Sequence, residues 1–157
     1  MSLRTRLGLS GDPPYLMDGA AFIFRGFYAF QNMARSDGFP TNVLYIVTRL
    51  LLKLLREERP EAFAFIMDGK GPNFRHELYG NYKANRSSTP EPLVQQLEPL
   101  RRAVEALGIP LIVSEGCEAD DCIASLAARY KAERPIVIIG ADKDLKQCLD
   151  SSVVMWD

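Results

Sequence analysis

Residues 62–68 read AFAFIMD: six positions without a charge, then an aspartate followed by Gly69. Three other stretches have the same form, PYLMD at 14–18, IPLIVSEGCEADD at 109–121 and PIVIIGADKD at 135–144. A short apolar run bounded by turn residues reads as a strand buried on both faces, and such strands belong to parallel sheets. Between the runs lie helical patterns. The clearest spans Thr41 to Glu58, where Val43, Ile46, Val47, Leu50, Leu51, Leu54 and Leu55 form a 3.6-residue stripe. Alternating strands and helices imply an α/β fold: a parallel twisted sheet with helices on both faces, a three-layer sandwich.

The remaining elements follow from the same patterns. Helices are expected over Ala20–Asn32, Leu93–Leu107, Glu118–Lys131 and Asp144–Leu149, and strands over Tyr15–Asp18, Ala62–Asp68, Leu111–Val113, Pro135–Ile139 and Val153–Trp156. Pro99 either kinks the helix around it or marks its true start. Residues 1–13 read as a flexible leader and 14–157 as one domain. Within that domain residues 69–92, GKGPNFRHELYGNYKANRSSTPEP, carry no sustained apolar stripe and are expected to form a mobile, arch-like segment.

Composition excludes several classes. No apolar stretch approaches the roughly 18 residues a membrane span needs, and the N-terminal residues lack the apolar core of a secretory signal. Three cysteines without CxxC spacing suggest reduced thiols in a cytoplasm, and a single histidine, His76, argues against a zinc site. There is no GxxxxGK[ST] loop and no GxGxxG, so P-loop and dinucleotide chemistry are disfavoured.

In a parallel sheet the carboxyl ends of the strands share one edge. Acids ending four strands therefore converge: Asp18, Asp68, Glu118, Asp120, Asp121, Asp142 and Asp144. Taken alone, each junction is better read as an Asp-Gly turn or a helix cap. Four such junctions in strand order are harder to explain that way, and a cluster of like charges needs cations to hold it. Divalent-metal chemistry on phosphates is the implied function. With those seven set aside, 13 of the 20 acids remain against 19 Lys and Arg, a basic surround suited to a polyanion. The segment after Asp68 adds Arg75, Lys83 and Arg86 as candidate phosphate contacts, with Phe74 and Tyr82 as stacking faces.

The stretches MDGAAFIFRGFYAF (17–30), FIMDGKGPNFRHELYGNYKANRSSTPE (65–91), GCEADDCIASLA (116–127) and GADKDLKQCL (140–149) together resemble the 5′-nuclease domain of bacterial DNA polymerase I, a relative of the flap endonucleases and more distantly of PIN-type nucleases. The resemblance runs from about Tyr15 to Asp157. It implies a resolvase-like, PIN-like fold and a two-metal (Mg²⁺ or Mn²⁺) 5′-3′ exonuclease and flap endonuclease acting on DNA 5′ flaps and nicks and on RNA primer–DNA junctions. By motif position Asp18, Asp68, Glu118 and Asp120 match the first metal's ligands, with Asp121 beside them, and Asp142 and Asp144 match ligands tied to the second. Lys83 and Arg86 match the basic pair that meets the scissile phosphate, and Arg25, Phe74 and Arg75 match DNA-contacting positions. Phe24 stands where the family usually has a stacking tyrosine. The family continues with a helix-turn-helix element and further metal-binding aspartates, and often a polymerase. On this reading residues 1–157 are the N-terminal part of a larger enzyme, weakly active or inactive alone. The alternatives are a stand-alone flap endonuclease, a non-cleaving DNA-binding module and a PIN-type ribonuclease.

Overall fold

The computed structural model describes residues 3–30, 32–84 and 88–157. Its centre is a five-stranded sheet, all parallel, built from β1 (Tyr15–Asp18), β2 (Phe63–Asp68), β3 (Leu111–Ser114), β4 (Ile136–Ile139) and β5 (Val153–Trp156) in the order β3-β2-β1-β4-β5. Helices α2 (Gly19–Ala29), α3 (Asn42–Glu58) and α5 (Glu91–Ala106) cover one face, and α6 (Ala119–Tyr130) with a 3₁₀ helix at Lys143–Cys148 covers the other.

Alternation along the strands assigns each side chain to a layer. Tyr15, Met17, Phe63, Phe65, Val137 and Ile139 enter the core beneath α2, α3 and α5. Leu16, Ile66, Ile136 and Ile138 enter the core beneath α6 with Ile123 and Ala127. Burial on both faces is the reason the inner strands β1 and β4 read as unbroken apolar runs.

The strand order fixes where the site falls. The chain winds from β1 outward through β2 to β3, then returns to the other side of β1 for β4 and β5. The crevice beyond the carboxyl ends of β1 and β4 is therefore the topological switch point, where open parallel sheets bind ligands. Asp18 ends β1, and Asp142 follows β4 after Gly140 and Ala141. The two strands approach closely there: a Cβ on Gly140 would lie 3.3 Å from the Cβ of Asp18.

Some expectations are revised. Residues 3–6, assigned to a flexible leader, form the short helix α1 (Leu3–Arg6), and Leu3 is buried in the larger core. Its first amides are held by the buried Glu58, which accepts from Leu3 N at 2.6 Å and from the Tyr15 hydroxyl at 2.9 Å. The helix around Pro99 begins at Glu91, with a proline in its first turn, and runs on through Pro99. The 69–92 stretch contains α4 (Phe74–Leu78), started by a capping box in which Asn73 accepts from the α4 backbone and His76 Nδ1 accepts from Asn73 N. The stripe is missing because α4 buries no residue.

Candidate metal centre and nucleic-acid cleft

Four strand ends deliver acids to one cleft. Its walls carry Asp18, Asp68, Glu118, Asp120, Asp142 and Asp144, with Lys83 and Arg25 as its cations and Phe24 and Tyr82 as its rings. Among the described residues six carboxylates thus face two basic groups. Of the sequence-predicted residues, Asp121, Phe74 and Arg75 do not line the cleft, and Arg86 lies outside the described residues.

Backbone amides hold several of these acids in place. Asp18 is the N-cap of α2 and accepts from Ala21 N at 3.3 Å through Oδ1. Asp68 Oδ1 accepts from Ala119 N, the first amide of α6, at 2.7 Å. Asp142 caps the 3₁₀ helix, accepting from Asp144 N at 2.8 Å. Capping and cation binding are therefore compatible uses of one residue: an amide fixes one oxygen and the helix N-terminus favours the charge. The two Met-Asp-Gly repeats serve the same packing. A Cβ on Gly19 would collide with the Phe65 ring and the Ile66 carbonyl, and one on Gly69 would collide with the Ser114 carbonyl.

Electrostatics separate the acids into two groups. Asp18 is 4% exposed, and its carboxyl is raised above the usual range by burial and then by the charges of Asp68 and Asp142. Asp120 is pushed up to about 6 by burial and by Asp18, Asp142, Asp68 and Glu118. Glu118 and Asp121 are shifted the other way. Burial acts to raise Glu118, but Lys83 at 2.5 Å and Asn73 at 2.9 Å outweigh it and hold it low. Arg75 holds Asp121 low through a two-armed pair at 2.5 and 2.7 Å.

The donor set suits a hard divalent cation: every ligand candidate is a carboxylate oxygen, and Asp18 and Asp120 are raised by burial and by their acidic neighbours. The acids line the cleft without closing on one point. Among the described residues no three acidic, histidine or cysteine side chains already stand as a cation-holding set.

Several contributors carry no signal in the acid pattern. Ser114, buried at the end of β3, donates from Oγ to the Glu118 carbonyl at 3.2 Å. Asn73 reaches Glu118 from the arch-like segment. Asn73 is a favoured N-cap residue, and it was the available signal for α4.

Residues 13–157 match the family described as 5′-3′ exonuclease, N-terminal resolvase-like domain. The chain belongs to that family. It is 43% identical to DNA polymerase I of Pseudomonas aeruginosa over 148 residues, which is 94% of this chain and 16% of that one. It is 35% identical to a 5′-3′ exonuclease of Aquifex aeolicus over 142 residues, 90% of this chain and 49% of that one. The thermostable DNA polymerase I of Thermus aquaticus is 40% identical over 139 residues. The chain thus spans between about a sixth and a half of the length of these relatives. Among solved structures, the bacteriophage T5 5′-exonuclease with bound zinc superposes with a TM-score of 0.68 at 21% identity, covering 92% of this chain and 54% of that one. The T5 flap endonuclease with DNA and metal ions gives a TM-score of 0.67. These likenesses establish the resolvase-like α/β fold. Among the described residues no helix is long and apolar enough to cross a membrane.

Proposed function

We propose that this domain is the catalytic part of a divalent-cation-dependent 5′-nuclease that hydrolyses phosphodiester bonds at the 5′ ends and flaps of DNA and at RNA primer–DNA junctions. The observation that carries the reading is the cleft at the switch point between β1 and β4, where six carboxylates from four strand ends meet Lys83 and Tyr82. Family membership supports it, and so do the metal ions and DNA bound by the T5 structures.

In this reading Asp18, Asp68, Glu118 and Asp120 hold one cation, and Asp142 with Asp144 contribute to a second, Mg²⁺ or Mn²⁺ being the natural occupants of an all-oxygen site. Bound cations of this kind supply a polarised phosphate and a water of lowered pKa. The chain's own residues do the rest. The amides of Ala21, Ala119 and Asp144 orient the carboxylates. Lys83, at the cleft wall, offsets charge developing on the phosphate. Phe24 and Tyr82 offer ring faces to unpaired bases, and Arg25 a cation to the backbone. Leaving Glu118 for the phosphate is part of Lys83's role. We assign the activity to the cytoplasm and to the whole protein that carries this domain, with its duplex DNA partner.

The test is a 5′-labelled flap duplex with Mg²⁺ and the full-length protein. Asp68→Asn lowers cleavage at least 100-fold while flap affinity changes by less than about threefold. Products carry a 5′-phosphate and a 3′-hydroxyl. Cleavage that survives Asp68→Asn, or a preference for single-stranded RNA over the forked DNA, contradicts the assignment.

A further inference from the structure

Adjacent acids on one helix point to different neighbours. Asp120 and Asp121 are the second and third residues of α6, and successive residues of a helix project about 100° apart. Asp120 faces the cleft. Asp121 faces α4, where its two oxygens meet both terminal nitrogens of Arg75. The same carboxylate accepts from Glu118 N at 3.0 Å, closing the capping box at the start of α6. Arg75 is fixed in turn: its guanidinium lies 4.6 Å from the centre of the Phe74 ring, and Phe74 N donates to the Gly116 carbonyl at 3.0 Å.

From this anchor the chain runs eight residues to Lys83, passing Tyr82. Both of those side chains end on Glu118, Lys83 Nζ on Oε1 at 2.5 Å and the Tyr82 hydroxyl on Oε2 at 3.3 Å. The segment is therefore pinned to the start of α6 at two places. One is at the cleft, on a carboxylate that a cation would claim. The other is outside it, on a carboxylate already saturated by a forked guanidinium and an amide. Planar two-armed pairing of this kind fixes orientation as well as position.

We propose that Asp121 is a positioning residue outside the cation's ligand set. Through Arg75 it sets where Tyr82 and Lys83 stand over the cleft, and it keeps that setting when Glu118 is given up to a cation. Arg75, spent on Asp121, is then a strut of the fold rather than a phosphate contact. This assignment rests on the function proposed above, and its test separates the two.

Asp121→Asn removes the charge but keeps an oxygen that can accept from Glu118 N, so the start of α6 survives. Arg75→Gln removes the other half of the pair, and Asp121→Glu retains it. Each variant is titrated with Mn²⁺ by calorimetry beside Asp120→Asn, and amide exchange of residues 73–84 is followed in EDTA. Asp121→Asn is expected to keep Mn²⁺ affinity within about twofold, whereas Asp120→Asn loses at least tenfold. Asp121→Asn and Arg75→Gln are each expected to speed exchange of residues 73–84 about tenfold, and Asp121→Glu to restore most of the protection. A loss of Mn²⁺ affinity in Asp121→Asn equal to that in Asp120→Asn makes Asp121 a ligand and overturns the proposal. Unchanged exchange in Asp121→Asn and Arg75→Gln overturns it as well. If the parent chain takes up no Mn²⁺, the nuclease reading fails, and the exchange arm decides the anchor alone.

Discussion

Lys83 Nζ rests 2.5 Å from Glu118 Oε1, on a carboxylate that also accepts from Asn73 and Tyr82. A lysine and a divalent cation cannot share this site without repulsion, so the two compete for Glu118. The lysine side chain is about one-quarter exposed and the glutamate less, which limits screening of the pair. Lys83→Met is therefore expected to tighten Mn²⁺ binding in the absence of DNA by roughly fivefold, about 1 kcal/mol. Calorimetric titration of the two proteins measures it, and unchanged or weaker binding in Lys83→Met argues that the pair is not a barrier to the cation.

Asp120 predicts a pH dependence. Its folded pKa of about 6 stands above the ordinary carboxylate value of 3.8. The folded state therefore binds this proton more tightly, and its contribution to stability is fully present below about pH 4 and is lost as pH rises through 6. Asp18 shifts in the same direction. In EDTA the denaturation midpoint should fall between pH 4.5 and 7, by the equivalent of about 1–2 kcal/mol once solvent screening is allowed for. Asp120→Asn should flatten that fall, and added Mg²⁺ should oppose it at pH 7. A parent and an Asp120→Asn variant with the same pH profile would show that the acids do not strain the fold.

Gly69 donates its N–H to the Ser114 carbonyl at 2.8 Å, and the same carbonyl occupies the space a Cβ would need. Gly69→Ala forces β2 and β3 apart at their carboxyl ends. The expected cost is about 1–3 kcal/mol, read from urea unfolding. A stability within 0.5 kcal/mol of the parent would mean, on the ~1–3 kcal/mol scale of such overpacking, that the strand ends yield easily.

Gln96 is a buried polar residue on α5 that starts a different helix. Its Oε1 accepts from Val43 N and Leu44 N at 2.9 and 3.2 Å, and its Nε2 donates to Asn42 Oδ1 and the Pro92 carbonyl. Thr41, the formal N-cap of α3, makes no side-chain cap bond, so Gln96 supplies it from a distance. Gln96→Leu should lower stability by about 2 kcal/mol by leaving amides unmet in an apolar layer. A neutral result in urea unfolding would contradict the cap.

What the sequence disclosed and what it withheld divide along physical lines. Residues 62–68 and the runs at 14–18 and 135–144 announced a parallel sheet because burial on both faces leaves few polar positions in a strand, whereas the edge strand β3 keeps its apolar run with Val113 exposed. The convergence of Asp18, Asp68, Asp120 and Asp142 followed from topology alone, since all four stand at one sheet edge. The direction of Asp121 did not follow, because it depends on one helical step and on where Arg75 arrives across 46 residues of chain. Leu3 and Glu58 were equally hidden: a buried glutamate 55 residues away holds the first helix, and only tertiary contact makes residues 3–6 ordered. Gln96 was hidden for the same reason, as a cap contributed by a separate helix.

The most direct test of the acidic centre is a calorimetric titration of Mn²⁺ into the parent chain and into Asp18→Asn and Asp68→Asn, two substitutions at the ends of neighbouring strands whose carboxylates both line the cleft. The parent is expected to take up Mn²⁺ in competition with Mg²⁺, and each substitution to weaken uptake at least tenfold. Uptake that is absent in the parent, or unchanged in both variants, would contradict a cation centre at the ends of these strands.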